Sequence, residues 1–105
     1  MNIVATCAAL GDETRWRILE LLGGADLSAS DLARELPVSR QAIAKHLQLL
    51  QAAGLVSAQA DGRAVRYRAL GGALSRLGQT LETLGAGWDR RLALLKEVAE
   101  SLGDD

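Results

Sequence analysis

Several residue types are rare or absent in this chain of 105 residues, and each absence excludes some classes of fold or function. The sequence has no phenylalanine, whereas alanine and leucine supply most of its apolar residues. We therefore expect a helical protein with an aliphatic core rather than an aromatic one. A chain of this length supports a single hydrophobic core, so residues 1–105 are predicted to form one domain.

Cysteine and long apolar runs are also scarce. Cys7 is the only cysteine, so an intrachain disulfide is impossible and a reducing compartment is expected. No apolar run approaches the roughly 20 residues that a membrane-spanning helix needs. The N-terminus has neither the basic start nor the long apolar stretch of a secretory signal. These features predict a cytoplasmic protein with no membrane partner.

The charges are segregated along the chain, although the formal net charge is only −1. Residues 34–68 contain six cations and two acids, so the remaining residues carry an excess of five acids. A local basic surface on an otherwise acidic protein is typical of a surface that faces phosphates.

The stretch from Pro37 to Leu55 has the pattern of an amphipathic helix. The hydroxyl of Ser39 is suited to cap its first turn, and Gly54 tolerates the left-handed geometry that ends many helices. Apolar residues recur at helical spacing on one face, namely Ile43, Leu47 and Leu50. The other face has amides and cations but no carboxylate, which suits a DNA groove; it holds Arg40, Gln41, Ala44, Lys45 and Gln48.

A shorter helix is predicted immediately before this one. It begins at Ser28 or Ser30, and Pro37 ends it because a proline disfavours helical geometry in the preceding residue. Its inward-facing residues are predicted to be Leu32, Ala33 and Leu36. Two short helices joined by so tight a turn form a helix-turn-helix unit, predicted over residues 28–54, in which the second helix reads DNA.

Two more helices are predicted within residues 1–24. The first covers residues 2–10, and its apolar face must pack on another element or on a second subunit. The second follows Asp12, a suitable N-cap, and ends at Gly23. Its predicted core residues are Ile18, Leu19, Leu21 and Leu22. Trp16 is predicted to be a core residue as well.

Two extended segments, residues 55–60 and 64–70, follow the second helix of the helix-turn-helix unit. Asp61-Gly62 between them is a strong hairpin signal. A basic hairpin in this place is a wing, predicted as two strands over residues 55–70. Its arginines are Arg63 at the tip, near the minor groove or its phosphates, and Arg66 and Arg68 on one face of the second strand.

A long final helix is predicted over residues 73–102, after a break at Gly71-Gly72. Its apolar residues recur at intervals of three and four, as in a coiled-coil seam. At roughly 45 Å the helix exceeds what so small a domain needs, so the seam is predicted to pack against a second copy. The sequence is compatible with a helix that is continuous or broken at Gly85-Ala86-Gly87. The predicted dimer interface consists of Ile3, Val4, Cys7, Leu77, Leu81, Leu84, Trp88, Leu92 and Leu95.

Taken in order, these segments resemble the arsenic-repressor (ArsR/SmtB) family of winged helix-turn-helix repressors. The matching segments are residues 9–15 (ALGDETR), 18–22 (ILELL), 31–33 (DLA), 39–47 (SRQAIAKHL), 53–56 (AGLV), 61–63 (DGR) and 67–70 (YRAL). With the residue patterns above, the resemblance implies a mainly α fold with a small β-hairpin (α+β). It also implies a homodimer that binds a palindromic operator in double-stranded DNA, represses transcription and is released by an inducer.

The sequence departs from this family at its metal sites. Many members hold a thiophilic metal through a Cys-x-Cys pair at the start of the first helix of the helix-turn-helix unit, where this chain has Ser28 and Ser30. Neutral hydroxyls are poor ligands for soft metals. Others hold zinc through histidines and carboxylates on the last helix, but here the only histidine is His46. We predict no metal and no other cofactor. The inducer stays open between a small molecule, an oxidant acting through Cys7, a partner protein and none.

The predicted DNA-binding residues are Ser39, Arg40, Gln41, Ala44, Lys45, His46, Gln48, Arg63, Arg66 and Arg68. Gln41 is the best candidate to read a base because an amide can bond an adenine edge bidentately, and Arg40 can read guanine. Ser39 and Lys45 are expected to hold phosphates. His46 is either structural or in contact with a phosphate. Taken alone, the same helix face is also compatible with a solvated surface.

Three alternatives accompany these predictions. The chain is a regulator that binds DNA or, alternatively, a winged-helix module that binds protein and lacks DNA affinity. An enzyme is not expected, because no nucleophile–base pair, metal motif or phosphate loop is present. Cys7 is either a small packed residue or an oxidation sensor that pairs with its copy. Trp88 is an interface residue or, alternatively, lines an inducer pocket.

Overall fold

The computed structural model describes residues 3–103, and these are mainly helical with one small antiparallel sheet. This architecture confirms the predicted α+β winged helix-turn-helix class. The chain divides into two compact units, Met1–Leu74 and Ser75–Asp105. Asn2, where the first helix was predicted to begin, lies outside the described residues. In chain order the elements are α1 (Ile3–Leu10), α2 (Glu13–Leu22), β1 (Leu27–Ser28), α3 (Ala29–Glu35), α4 (Arg40–Ala52), β2 (Val56–Asp61), β3 (Ala64–Ala69) and α5 (Gly71–Gly103).

Side-chain caps determine where three of the helices begin. A carboxylate oxygen of Asp12 accepts a hydrogen bond from the Arg15 N–H at 2.9 Å, which starts α2. The hydroxyl of Ser28, rather than that of Ser30, caps α3. It accepts from the Asp31 N–H at 3.1 Å while the Asp31 carboxylate accepts from the Ser28 N–H at 3.0 Å, a reciprocal capping box. Ser39 caps α4 in the predicted way.

The core of the first unit is aliphatic. The inner face of α4 supplies Ile43, Leu47 and Leu50, and they pack in one cluster with buried residues of α2, α3 and β2. The predicted core residues Ile18, Leu19 and Leu22 are buried there, while Leu21 is partly buried against it.

Trp16 does not belong to this core. Its side chain is 53% exposed, so the prediction that it is buried is wrong. The buried residues of α2 begin two positions later, and helical geometry turns Trp16 away from that side.

The sheet has three strands in the order β1-β3-β2, all antiparallel. The hairpin of β2 and β3 was predicted, but β1 was not. β1 is only two residues long, Leu27 opposite Tyr67 and Ser28 opposite Arg66, so it has no periodicity of its own. The loop is one residue shorter than the predicted gap between the strands, because Asp61 belongs to β2. The loop is Gly62-Arg63, with Gly62 at a φ of +63°.

Helix α5 runs without interruption from Gly71 to Gly103. It therefore passes through Gly85-Ala86-Gly87 unbroken. Gly71-Gly72, predicted to break the chain, are instead its first residues. Among residues 3–103, neither α5 nor another helix combines the length and apolar character needed to cross a membrane.

The residues predicted to form the dimer interface are mostly exposed in the single chain. On α5, Leu77 is buried, whereas the later seam positions are 48–65% exposed, namely Leu81, Leu84, Trp88, Leu92 and Leu95. On α1, Ile3 is half-buried and Val4 and Cys7 are exposed, because the buried face consists of Thr6 and Ala9. Cys7 is therefore not packed within the single chain, and its contact with a second copy stays a prediction.

Candidate nucleic-acid interface

The outer face of α4 presents a continuous polar surface. Gln41, Lys45 and Gln48 are exposed there, and Ala44 between them leaves a shallow depression. Ser39 lies at the start of the same depression. The opposite face of α4 is buried in the core, so the packing of the helix turns this surface outward.

Arg40 faces a second depression on the other side of Ala44. It shares this depression with Arg63, in the loop of the hairpin, and with Arg66 on β3. The structure thus brings cations that are 26 residues apart in sequence to one place beside α4. The wing and the start of α4 form one basic surface.

The predicted cations differ in how their charge is compensated. Within residues 3–103, no carboxylate oxygen lies within 4 Å of the charged nitrogens of Arg40, Lys45 or Arg63. In contrast, Nε of Arg66 lies 2.6 Å from a carboxylate oxygen of Asp61. Arg40, Lys45 and Arg63 are therefore the cations most available to a phosphate, since a carboxylate already compensates Arg66.

Arg68 is held by Asp26 through two nitrogens. Nη2 and Nε of Arg68 donate to one carboxylate oxygen at 2.8 and 3.1 Å. This pair joins β3 to the residue before β1, so it anchors the wing to the helix-turn-helix unit. The hydrogen bond from Arg68 lowers the pKa of the Asp26 carboxyl, against a smaller opposing effect of burial.

We expect Arg68→Gln to raise the pKa of Asp26 toward its ordinary value of about 3.9, because the neutral amide stabilises the carboxylate less. A carboxyl with a lowered pKa in the folded state adds stability above its unfolded-state pKa, and this stability is lost as the pH falls through the folded-state pKa. The wing anchor in the wild type should therefore weaken only in acid, below about pH 4. Carboxyl ¹³C titration by NMR measures the shift.

Asp31 is the internal control for that titration. Its pKa is lowered chiefly by the hydrogen bond from the Ser28 backbone N–H, which Arg68→Gln leaves in place. An Asp26 pKa that does not move in the variant, or that moves together with that of Asp31, would contradict the assigned pair.

His46 lies on the side of α4 that faces α2. Its Nδ1 is 3.3 Å from Nη1 of Arg15 and 3.8 Å from a carboxylate oxygen of Asp12. Arg15 also donates from Nε to the carbonyl of Ala9 at 2.6 Å, at the end of α1. These contacts fit the structural alternative for His46, in which Arg15 connects the end of α1 to α4.

Arg15 was not singled out from the sequence. The available signal was an arginine shortly after the end of a predicted helix, where cations bond the last carbonyls. Because Arg15 and His46 are 31 positions apart in sequence, nothing in the sequence indicated that they are in contact.

The metal sites implied by the family resemblance do not fit these residues. Across residues 3–103, no three His, Cys, Asp or Glu side chains are grouped so that they could hold a metal ion. The hydroxyl of Ser28 is engaged as the cap of α3, and α5 has no histidine. The donors in these positions are those least suited to soft metals.

A recognition helix held outward by the core, a tight turn before it and a basic hairpin after it define a winged helix-turn-helix DNA-binding domain. Comparison with known proteins agrees. A family model described as a helix-turn-helix domain matches residues 10–57. The HTH-type transcriptional regulator Rv2034 of Mycobacterium tuberculosis (strain H37Rv) is 37% identical over 97 residues, which cover 92% of this chain and 88% of that protein.

Solved structures extend the likeness to the whole fold. An ArsR-like transcriptional regulator from Rhodococcus sp. RHA1 is 61% identical, with 92% of each chain covered and a TM-score of 0.83. A homodimeric winged helix-turn-helix DNA-binding domain from Mycobacterium bovis, described as a possible ArsR-family regulator, is 25% identical with a TM-score of 0.67, covering 80% of this chain and 78% of that one.

The protein belongs to the ArsR-like family of helix-turn-helix transcriptional regulators. Because its relatives are regulators, the prediction that it is not an enzyme is confirmed.

Proposed function

We propose that this protein is a cytoplasmic, dimeric repressor that binds a palindromic operator in double-stranded DNA through α4 and the wing. The observation that supports this most directly is the outer face of α4. It presents Gln41 and Lys45 with no carboxylate among its residues, and the core holds it outward. This surface allows base edges to be read by the amide while cations hold the phosphates.

The wing would add contacts on the flanking backbone. Arg63 lies in the hairpin loop without a carboxylate within 4 Å among the residues described. Arg66 and Arg68 are already paired with Asp61 and Asp26, so part of their charge is compensated before a phosphate approaches. We therefore expect Arg63 to contribute more to DNA affinity than either of them.

The exposed seam of α5 supports the dimer. A run of large apolar side chains at intervals of three and four, each about half exposed or more, marks an interaction surface rather than a solvated one. Together with Ile3, Val4 and Cys7 of α1, it forms the proposed contact with the second copy. The homodimeric M. bovis domain is similar to this chain in fold.

A twofold axis would make the operator a palindrome. Two copies of α4 would enter successive major grooves about 34 Å apart along the duplex. Such a dimer represses by occupying the promoter. The inducer that releases it is not a metal bound at either of the two metal sites described for the family.

Gln41→Ala and Lys45→Ala are expected to separate base recognition from phosphate contact. Loss of the amide should reduce the preference for the operator over a mutated site by about 1–3 kcal/mol. Loss of the cation should weaken binding to all sequences and reduce the slope of log K against log salt concentration by about 0.9. Fluorescence anisotropy with the promoter of the protein's own gene, at several salt concentrations, measures both effects.

Arg17→Ala is a suitable control, because Arg17 lies on α2 and is paired with Glu13. If neither α4 variant differs from it, the assigned face is wrong. If the wild type binds no DNA, or binds it independently of salt, the protein is instead a winged-helix module that binds another protein.

A further inference from the structure

We propose that Arg15 is a positioning residue, which fixes α4 against the end of α1 and thereby sets operator affinity without touching DNA. The inference rests on the proposed function in one respect, namely that α4 reads the operator. The side chain of Arg15 is half-buried, and its guanidinium contacts both helices, at the carbonyl of Ala9 in α1 and at His46 in α4.

The contacts with α1 are made to backbone carbonyls. Nε of Arg15 donates to the carbonyl oxygen of Ala9 at 2.6 Å, and Nη2 donates to that of Ala8 at 3.4 Å. Both carbonyls belong to the last turn of α1, where a helix has no partners of its own for its carbonyl groups. A cation is also stabilised there by the negative end of the helix dipole. The guanidinium therefore holds the end of α1 through two donors.

The contact with α4 is made through a third nitrogen. Nη1 of Arg15 lies 3.3 Å from Nδ1 of His46. Because a guanidinium has only donors, Nδ1 is the acceptor in this contact and the ring carries its proton on Nε2. His46 is five residues after Gln41, which places it about 140° around the helix. Arg15 thus holds α4 from the side away from the proposed base contact.

The backbone of Arg15 is itself fixed in the first turn of α2. Its N–H donates to a carboxylate oxygen of Asp12 at 2.9 Å, which caps that helix. The same oxygen is 3.8 Å from Nδ1 of His46, so Asp12 is the nearest alternative partner for the ring if the contact with Arg15 is lost. One residue therefore joins the start of α2, the end of α1 and the side of α4.

Directional contacts of this kind add what the apolar core of α4 lacks. The buried stripe of Ile43, Leu47 and Leu50 determines which side of the helix faces inward. Apolar attraction is not directional, so the stripe permits small rotations and shifts of α4. A binding residue must be held to within about 0.5 Å of its productive position. Hydrogen bonds have a preferred distance and angle, and those of Arg15 restrict α4 to one position relative to α1.

Arg15→Lys tests this role at constant charge. A single ammonium replaces the planar fork, so it cannot hold α1 and His46 at the same time. Operator affinity should fall about tenfold, as expected for one base contact that is no longer aligned. The slope of log K against log salt concentration should not change, because no phosphate contact is lost. Fluorescence anisotropy of the full chain at several salt concentrations measures both quantities.

Arg17→Lys is the matched control, because it makes the same change two positions later at an exposed residue that is paired with Glu13. It should alter neither the affinity nor the slope. Urea unfolding and analytical ultracentrifugation establish that all variants are folded and of equal mass under the conditions of the binding measurement.

A double-mutant cycle tests whether the effect passes through His46. His46→Phe keeps an aromatic ring but removes the Nδ1 acceptor, so it should lose operator affinity to the same extent as Arg15→Lys. If both act by breaking one contact, the double variant should bind no more weakly than either single variant. Losses that add in the double variant would show two independent effects and overturn the proposal.

The tautomer of His46 gives a readout that does not depend on DNA. Long-range ¹H–¹⁵N NMR at pH 8 should show the ring protonated at Nε2 in the wild type, and the signal is unambiguous because the chain has one histidine. Arg15→Met has a side chain of similar length without a donor, so the ring should shift toward the tautomer in which Nδ1–H donates to Asp12. A wild-type ring protonated at Nδ1 would overturn the proposal.

The remaining outcomes are equally decisive. If Arg15→Lys is less stable to urea but binds the operator as well as Arg17→Lys does, Arg15 is only a structural residue and the proposal is overturned. A salt slope that falls by about 0.9 in Arg15→Met would make Arg15 a phosphate contact instead. If the wild type binds no DNA, the repressor function is overturned, and the tautomer of His46 alone decides whether Arg15 joins α1 to α4.

Discussion

Leu47→Ala is expected to lower the free energy of unfolding by about 2–5 kcal/mol. Leu47 is only 1% exposed and packs in the core cluster together with Ile43 and Leu50. Truncation removes apolar contacts and leaves a cavity that the neighbouring helices fill only in part. The loss is a large fraction of the roughly 5–15 kcal/mol by which native domains are stable.

Leu49→Ala is the matched control on the same helix. Leu49 is 52% exposed, so its truncation should change stability by no more than about 0.5 kcal/mol. Urea unfolding followed by circular dichroism, at one fixed protein concentration because association alters apparent stability, measures both. Equal losses for the two variants would show that α4 does not pack with its Leu47 side inward.

Leu84→Glu is expected to convert the proposed dimer to a monomer. Leu84 is 61% exposed on α5 within the apolar seam, and a carboxylate there would be buried without a partner in the dimer. Two linked recognition helices bind more tightly than one, by about 10²–10⁴. Operator affinity should therefore fall by about this factor although no DNA-contacting residue is changed.

Gln79→Glu introduces the same side chain on the opposite side of α5, where it should leave the dimer intact. Analytical ultracentrifugation gives the mass, and anisotropy gives the affinity. Circular dichroism should show the same helix content for both variants, because the core cluster lies within Met1–Leu74. A dimer that persists in Leu84→Glu would remove the seam from the interface.

The two experiments test different surfaces of the protein. The inner stripe of α4 keeps the recognition surface facing outward, and the seam of α5 is the proposed contact with the second copy. A variant that unfolds the core loses DNA binding together with its circular dichroism signal, whereas a seam variant loses affinity alone. This difference separates a failure of folding from a failure of assembly.

The sequence by itself was sufficient for features that depend on neighbours within about four residues. Ser39 capped α4 as predicted, and the apolar spacing of Ile43, Leu47 and Leu50 placed that helix with its inner face correctly. The Asp-Gly pair indicated the hairpin, although the loop itself is Gly62-Arg63. Periodicity and caps are local, so they can be read along the chain.

Only the tertiary structure decided features that join distant positions. β1 forms because Leu27 pairs with Tyr67 in the sheet. Arg68 donates to the carboxylate of Asp26, although the two residues are 42 positions apart in sequence. Each glycine within α5 weakens the helix by up to about 1 kcal/mol relative to alanine. Local propensity alone does not show whether the rest of the helix outweighs this penalty, so only the structure shows that α5 is continuous. The basic surface formed by the wing and the start of α4 is another such feature, because cations far apart in sequence come together there only when the sheet and helices pack.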